Sequence, residues 1–216
     1  MNSQLRSTLI KNAVEEIVSR GNDPSHDSNH ALQVLKNVEI IAEREGGDLD
    51  ILVPSALFHD VVIYAKNDPR SPQAPAESAE LTKSILSEME DYPSEKIQAV
   101  MDVINGCSFN KTEEPDNIEA KILRDADKLE ATGAVSVMRT FASCGQMNRR
   151  LYHPEDPFAE NRDSDAKEQG LDLFYDRLLI AKDRMYTDTA KEIAEQGLRF
   201  YMRSLISLRR RLFELI

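Results

Sequence analysis

The stretch ILVPSALFHD, residues 51–60, decides how this chain folds and where its chemistry lies. Its first eight residues are nearly all apolar, which is typical of a helix in the middle of a bundle. It then closes on His59 and Asp60, an imidazole and a carboxylate on adjacent residues. Such side chains are rarely placed beside a buried segment without a partner. A metal ion would be such a partner, and the rest of the chain must then supply further ligands.

The sequence on both sides of this stretch predicts further helices. Apolar residues recur at helical spacing along most of the chain, and no segment shows the sustained alternation of a strand. The predicted helices cover residues 5–19, 25 or 27 to 45, 49–64, 76–89, 94–105, 118–130, 135–141, 165–185 and 187–214. A proline-rich loop at 68–75 and a polar loop at 143–165 interrupt them. We therefore predict an all-α fold, a helical bundle of roughly eight to ten helices in one domain, residues 1–216.

Composition limits the classes of function. The formal net charge of -11 argues against a broad nucleic-acid surface, which is usually basic. Two cysteines, Cys107 and Cys144, are too few for a disulfide framework. We find neither a signal-type apolar segment at the N-terminus nor a run of about 18 apolar residues. These features predict a cytoplasmic protein that does not span a membrane.

Two more residues have the right chemistry to complete a metal site with His59 and Asp60. His30 stands near the start of the second predicted helix, and Asp127 interrupts the apolar face of the helix that contains RDADKL, residues 124–129. Two imidazoles and two carboxylates from three helices can form a closed cluster in a bundle. We therefore predict that His30, His59, Asp60 and Asp127 bind one metal. Asp125 lies two positions before Asp127, and side chains at that spacing point in different directions on a helix.

The ligand types restrict the ion. Nitrogen and oxygen ligands together suit Mn, Fe, Co, Ni or Zn, and a carboxylate-rich site also admits Mg. We predict one of these divalent metal ions as the cofactor. Open coordination positions would remain for a water and for a phosphate oxygen.

The order His30, His59-Asp60, Asp127 resembles the H…HD…D signature of the HD-domain superfamily of metal-dependent phosphohydrolases. The likeness extends to bacterial HD hydrolases of the YedJ and YpgQ type. It includes SHDSNH (25–30), RDADKLEATG (124–133), LYHPEDPF (151–158) and the tail at 174–200, and so covers nearly the whole chain. The resemblance implies an all-helical HD fold and hydrolysis of phosphate esters or anhydrides. It also implies that Asp127 is the ligand rather than Asp125, because the superfamily uses the aspartate that follows an alanine, here Ala126. One relative of this type is a nucleotide pyrophosphohydrolase, which makes nucleoside triphosphates the first substrates to test.

The chain departs from this pattern at one place. Relatives have two histidines before a Ser-Phe pair, whereas this chain has Asp102 and Cys107 ahead of Ser108 and Phe109. If those histidines bind substrate phosphate or a second metal, the specificity here differs. The departure therefore concerns the substrate more than the reaction class.

Further residues are candidates for catalysis and substrate binding. His26 lies one helical turn before His30 and could protonate the leaving group; an ordinary surface histidine is the alternative. Asp60 and Lys66 are the other predicted catalytic residues. Five cations are predicted to bind the substrate, each with the alternative of an ordinary surface role: Lys66, Arg70, Lys128, Arg149 and Arg150. Glu77 could orient the attacking water, or be an exposed residue at a helix start.

The predicted function is hydrolysis of a small phosphorylated metabolite, most of all a nucleotide, by a metal-dependent phosphohydrolase of pyrophosphohydrolase or phosphatase type. The partners predicted are this substrate, no nucleic acid and no membrane, with a homodimer left open. One alternative is an HD module that senses a ligand or binds a protein without turnover. Another is a di-iron oxygenase, which the lack of any histidine between His59 and His153 disfavours.

Overall fold

Eight α-helices make up most of the structure, a computed structural model that describes residues 1–20, 27–64, 68–107 and 114–213. They are α1 (Ser3–Arg20), α2 (Ser28–Glu45), α3 (Leu49–Phe58), α4 (Ala74–Ser87), α5 (Ile97–Gly106), α6 (Ile118–Leu129), α7 (Gly133–Gln146) and α8 (Asp188–Phe213). The all-α prediction is confirmed. Within these ranges no helix is both long and apolar enough to cross a membrane.

The chain divides into two compact units, Met1–Asp127 and Lys128–Ile216. The first contains α1 to α5 and nearly all of α6, and the second contains α7 and α8. The assignment of residues 1–216 to one domain stays a prediction.

Helix α3 is the central helix of the first unit. It packs against α1, α2, α4 and α5, and every residue from Leu52 to Phe58 is buried. Its N-terminus is anchored by Lys96, whose ammonium lies 2.7 Å from carboxylate oxygens of both Asp48 and Asp50. The apolar run at 51–58 therefore forms the buried central helix that its composition predicts.

The predicted end of this helix, near residue 64, is wrong. Helix α3 ends at Phe58, and His59 is its C-terminal cap. The amide of Val61 donates to the carbonyl of Phe58, three residues back, and the amide of Val62 donates to Oγ of Ser78. A side chain of another helix thus takes the hydrogen bond that would have continued α3. Apolar content alone cannot distinguish a buried helix from a buried irregular segment.

The proline-rich loop is shorter than predicted. A 3₁₀ turn covers Ser71–Gln73, and α4 begins at Ala74 rather than Ala76. Pro75 is tolerated because it lies in the first turn of α4, where its missing N–H would have had no partner in the helix.

In the second unit, the prediction of a continuous helix over residues 165–185 is wrong. The structure has only a short π-helical turn, Phe174–Leu178, and a 3₁₀ turn, Lys182–Arg184. The buried carboxylate of Asp172 explains the difference, because it accepts hydrogen bonds from Arg162 and from the amide of Asp165. These bonds hold the segment in a compact loop form. The apolar side chains of Leu171, Phe174 and Leu178 still enter the core, alongside Tyr201 of α8.

Two glycines allow α7 and α8 to approach closely. A Cβ on Gly197 would lie 2.8 Å from the backbone nitrogen of Gly133 and 2.8 Å from Cβ of Thr132. Gly133 has φ +67°, a conformation that glycine adopts without strain. A side chain at position 197 would therefore push the two helices apart.

We expect Gly197→Ala to lower the free energy of unfolding by about 1–3 kcal/mol, the usual cost of overpacking. Gly145→Ala is the matched control, because a Cβ there has no atom within 4 Å. This control should be neutral or stabilise by up to about 1 kcal/mol, since alanine favours the helix. Urea denaturation of both variants measures the difference. Shifts of equal sign and size would show that the close contact does not matter.

Candidate metal centre

His30 is placed by the start of α2. Asp27 is the N-cap residue, and its Oδ1 accepts a hydrogen bond of 3.0 Å from the backbone amide of His30. This cap satisfies a helix N–H that has no partner within the helix. His30 thus stands in the first turn of α2, with its side chain 3% exposed.

His59 is fixed by its own preceding turn. Its Nδ1 lies 2.9 Å from the carbonyl oxygen of Ala56. Because a carbonyl can only accept, Nδ1 carries the proton, and in the neutral ring Nε2 presents its lone pair. This Nε2 is buried and has no hydrogen-bond partner in the described part of the chain. The ring is therefore oriented as metal-binding histidines commonly are, with one nitrogen held by a backbone carbonyl and the other available.

Asp127 is positioned through α6 by a contact that sequence reasoning missed. The Nδ2 atom of Asn37 in α2 donates to the carbonyl oxygen of Ala126 at 3.1 Å. Asn37 follows His30 by seven residues, two helical turns, and so lies on the same side of α2. The sequence could have indicated this contact, because Asn37 is a polar residue among the apolar residues on one side of α2. The bond fixes the residue before Asp127 against the helix that carries His30.

The four predicted ligands meet in the first unit. Nε2 of His30 lies 3.7 Å from Oδ2 of Asp60 and 3.6 Å from Oδ1 of Asp127. Nε2 of His59 lies 3.6 Å and 3.9 Å from the same two oxygens. Ligand atoms at roughly 2.0–2.2 Å from one ion can be separated by at most about 4.4 Å. All four histidine–carboxylate distances are below this limit.

The chemistry of this cluster fits a divalent cation. The lone pair of a buried His59 Nε2 faces two carboxylate oxygens at distances too long for hydrogen bonds. A cation placed between these groups would balance the charge of the two carboxylates and bind the lone pair of the buried nitrogen. Among the described residues His30, His59 and Asp127 form a group whose ligand atoms all lie within 4.8 Å of one another. Asp60 adds a second carboxylate, with its side chain 33% exposed.

The structure describes only some of the other predicted site residues. His26 and Lys66 lie outside the described residues, as do Ser108 and Phe109. Arg70 is exposed, forms a two-point ion pair with Asp68, and stacks its guanidinium 4.4 Å from the ring centre of Tyr64. The substrate role of all these residues stays a prediction.

Three predicted cations belong to the second unit and make local contacts there. The ammonium of Lys128 donates to the carbonyl of Arg184 and lies 4.3 Å from the ring centre of Tyr186. Arg149 donates from its guanidinium to the carbonyl of Ala166. The backbone amide of Arg150 donates to the carbonyl of Glu168. The contacts of Arg149 and Arg150 connect the start of the long loop to residues just after its end. Phosphate binding by the three cations stays a prediction.

Comparisons with known proteins identify the family. The sequence profile of the HD domain family matches residues 28–132, which include all four clustered residues. The uncharacterized protein YpgQ of Bacillus subtilis is 30% identical over 187 residues, or 82% of this chain and 80% of that protein.

Solved structures share the fold over nearly their whole length. An HD-superfamily hydrolase from Bacillus thuringiensis matches with a TM-score of 0.70 and 27% identity, covering 96% of each chain. The Lin1889 protein of Listeria innocua matches with a TM-score of 0.68 and 30% identity, covering 100% of this chain and 99% of the other. Bacillus subtilis YpgQ in complex with ADP matches with a TM-score of 0.72 and 25% identity, covering 96% and 95%.

Proposed function

This chain belongs to the HD domain family, and we propose that it is a metal-dependent phosphohydrolase acting on a small phosphorylated metabolite, in the first place a nucleotide. The observation that carries the proposal is the buried Nε2 of His59, which faces the carboxylates of Asp60 and Asp127 without a hydrogen-bond donor among the described residues. A divalent cation between the imidazole nitrogen and the two carboxylates would account for this arrangement.

We propose that His30, His59, Asp60 and Asp127 hold the ion. When bound, a divalent ion would lower the pKa of a coordinated water and neutralise charge on a phosphoryl group. The chain's own contribution is orientation. The Ala56 carbonyl fixes the tautomer and plane of His59, the Asp27 cap fixes the first turn that carries His30, and Asn37 holds the carbonyl before Asp127. Ligands held in this way lose little freedom when the metal binds.

The substrate class rests on two supports. The solved structure of Bacillus subtilis YpgQ contains ADP, so a protein of the same fold and of 25% identity binds a nucleotide. The net charge of -11 disfavours a polynucleotide and is compatible with a small phosphorylated ligand at a metal. We therefore propose nucleotides before other phosphorylated metabolites, with His26 and Lys66 as candidates for proton transfer and phosphate contact.

The proposal is tested by release of phosphate or pyrophosphate from a panel of nucleotides and phosphorylated metabolites with Mn, Co, Ni, Zn or Mg. We expect hydrolysis of at least one nucleotide with at least one of these ions, and none after chelation. Metal binding without hydrolysis of any member would favour a sensor or interaction module instead. Tightly bound iron together with oxygen consumption would favour an oxygenase.

Metal binding also has a readout that does not depend on turnover. We expect Mn at one hundred times its dissociation constant to raise the free energy of unfolding by about 2.7 kcal/mol, because the ion binds only the folded site. Differential scanning calorimetry with and without the ion measures this as a rise in Tm. Mn, Co, Ni and Zn should act at lower concentration than Mg, since imidazole nitrogens favour them. An unchanged Tm with every ion would contradict the proposed site.

A further inference from the structure

A cavity of about 260 Å³ opens next to the candidate metal centre. Asp60 belongs to both: its carboxylate faces the two histidines, and it also lines the cavity. The segment after α3 forms one wall, including Val62 and Tyr64, and Glu77 of α4 contributes to the lining. Ile17 and Arg20 of α1 also line it. The volume is slightly below the roughly 300–1,000 Å³ typical of small-molecule pockets, and it leaves room for one small organic group.

The charges of the lining decide what kind of group fits. The only cation among the described lining residues is Arg20, and its guanidinium nitrogens lie 2.7 Å from Oε1 of Glu16. Glu77 adds a negative charge to the lining, and its Oε2 accepts a hydrogen bond of 2.6 Å from the hydroxyl of Tyr64. Among the described lining residues, the two carboxylates of Asp60 and Glu77 outnumber the one guanidinium. A phosphate group would be repelled here unless it bound at the metal.

The remaining chemistry favours an uncharged group with hydrogen-bond donors. Ile17, Val62 and the neighbouring Val61 and Ile63 supply apolar surface. The Glu77 carboxylate has two oxygens and about four lone-pair positions, of which the Tyr64 hydroxyl uses one. A sugar hydroxyl or an amino group of a base could donate to the others, while the apolar surface contacts the ring.

We propose that this cavity receives the uncharged organic group of the substrate, the nucleoside part of a nucleotide, while the phosphates extend to the metal beyond Asp60. The inference rests on the proposed function and adds the site that distinguishes a nucleotide from inorganic polyphosphate. Glu77, Arg20 and Tyr64 are then specificity-determining residues rather than general surface polar residues.

Filling the cavity tests this directly. Val62 is half-buried and lines the cavity, and Val62→Trp would occupy much of it. Val18→Trp is the matched control, because Val18 is next to Ile17 in α1 but is 58% exposed and does not line the cavity. We expect Val62→Trp to raise the KM for nucleoside triphosphate by about tenfold or more. The inhibition constant of tripolyphosphate, which has no organic group, should stay within about twofold in both variants.

Circular dichroism and metal content of the purified variants show whether each is folded. A wild-type KM for nucleotide in folded Val62→Trp would overturn the inference, and so would an equal loss of affinity for nucleotide and tripolyphosphate. If the wild-type protein hydrolyses no nucleotide, the proposed function fails separately. Calorimetric titration with each common nucleoside then tests whether the cavity binds a nucleoside. Binding to the wild-type protein and to Val18→Trp, but not to Val62→Trp, supports the inference. No binding to the wild-type protein overturns it.

Discussion

Replacing Asp60 with alanine is expected to abolish both tight metal binding and hydrolysis. Oδ2 of Asp60 lies within 3.7 Å of the Nε2 atoms of both His30 and His59, so the substitution removes one of two negative groups from the cluster. Loss of an outer-shell partner typically weakens metal binding 10–100-fold. Loss of a direct ligand should exceed about 100-fold, and the rate of phosphate release should fall to that of the reaction without protein.

The same substitution should leave the fold intact, because the Asp60 side chain is 33% exposed. Asp91→Ala is the matched control, an identical change at an exposed position of the same unit. Metal content by plasma mass spectrometry and phosphate release are measured for both variants. Unchanged metal content and activity in Asp60→Ala would show that the site is elsewhere.

Arg162→Met is expected to have the largest effect on stability. Asp172 is fully buried, and Arg162 binds both of its oxygens, at 2.5 Å and 2.8 Å. Methionine keeps most of the side-chain length but leaves the carboxylate buried without its cation. Removing one partner of a buried ion pair typically costs about 3–5 kcal/mol, because the remaining charge is uncompensated. Urea denaturation at neutral pH should show a loss of this size.

The control is Arg199→Met in α8, where the arginine is 73% exposed and lies 3.7 Å from Glu195. Such surface pairs contribute about 0–1 kcal/mol, so this variant should be nearly as stable as the wild-type protein. Equal losses in both variants would show that general charge, and not the buried pair, determines stability.

The pH dependence gives a second test of the Arg162–Asp172 pair. Burial raises the pKa of the Asp172 carboxyl. The hydrogen bonds from Arg162 and from the Asp165 amide together lower the pKa by more than burial raises it, so the net pKa is below its ordinary value. Because the pKa of this group is lower in the folded state, the group stabilises the folded protein fully when the pH is above its unfolded-state pKa of about 3.9. This stabilisation is lost as the pH falls through the folded-state pKa. The gap between wild type and Arg162→Met should therefore be widest at neutral pH and narrow in acid. A constant gap would contradict this assignment.

Helical periodicity was the most reliable information in the sequence. The apolar periodicity of α2 and α6 depends on neighbouring residues. The structure has these helices at Ser28–Glu45 and Ile118–Leu129, where the predictions were 25 or 27 to 45 and 118–130. The helix boundaries that the sequence predicted wrongly depend on hydrogen bonds to residues outside the segment concerned. Ser78 ends the extension of α3 by bonding Val62, and Arg162 holds the segment around Asp172 out of a continuous helix. Neither partner is within the segment whose form it decides.

The sequence by itself determined the all-helical class and the ordered set of His30, His59, Asp60 and Asp127, because residue type and local spacing carry that information. Only the tertiary structure decided that the Nε2 atoms of both histidines lie within 3.9 Å of carboxylate oxygens of Asp60 and Asp127. It also decided that Ala56 orients His59 and that Asn37 holds α6 against α2. It also revealed the cavity lined by Asp60 and Glu77. The physical reason is that distances across a bundle depend on packing between helices far apart in the chain, which no local pattern encodes.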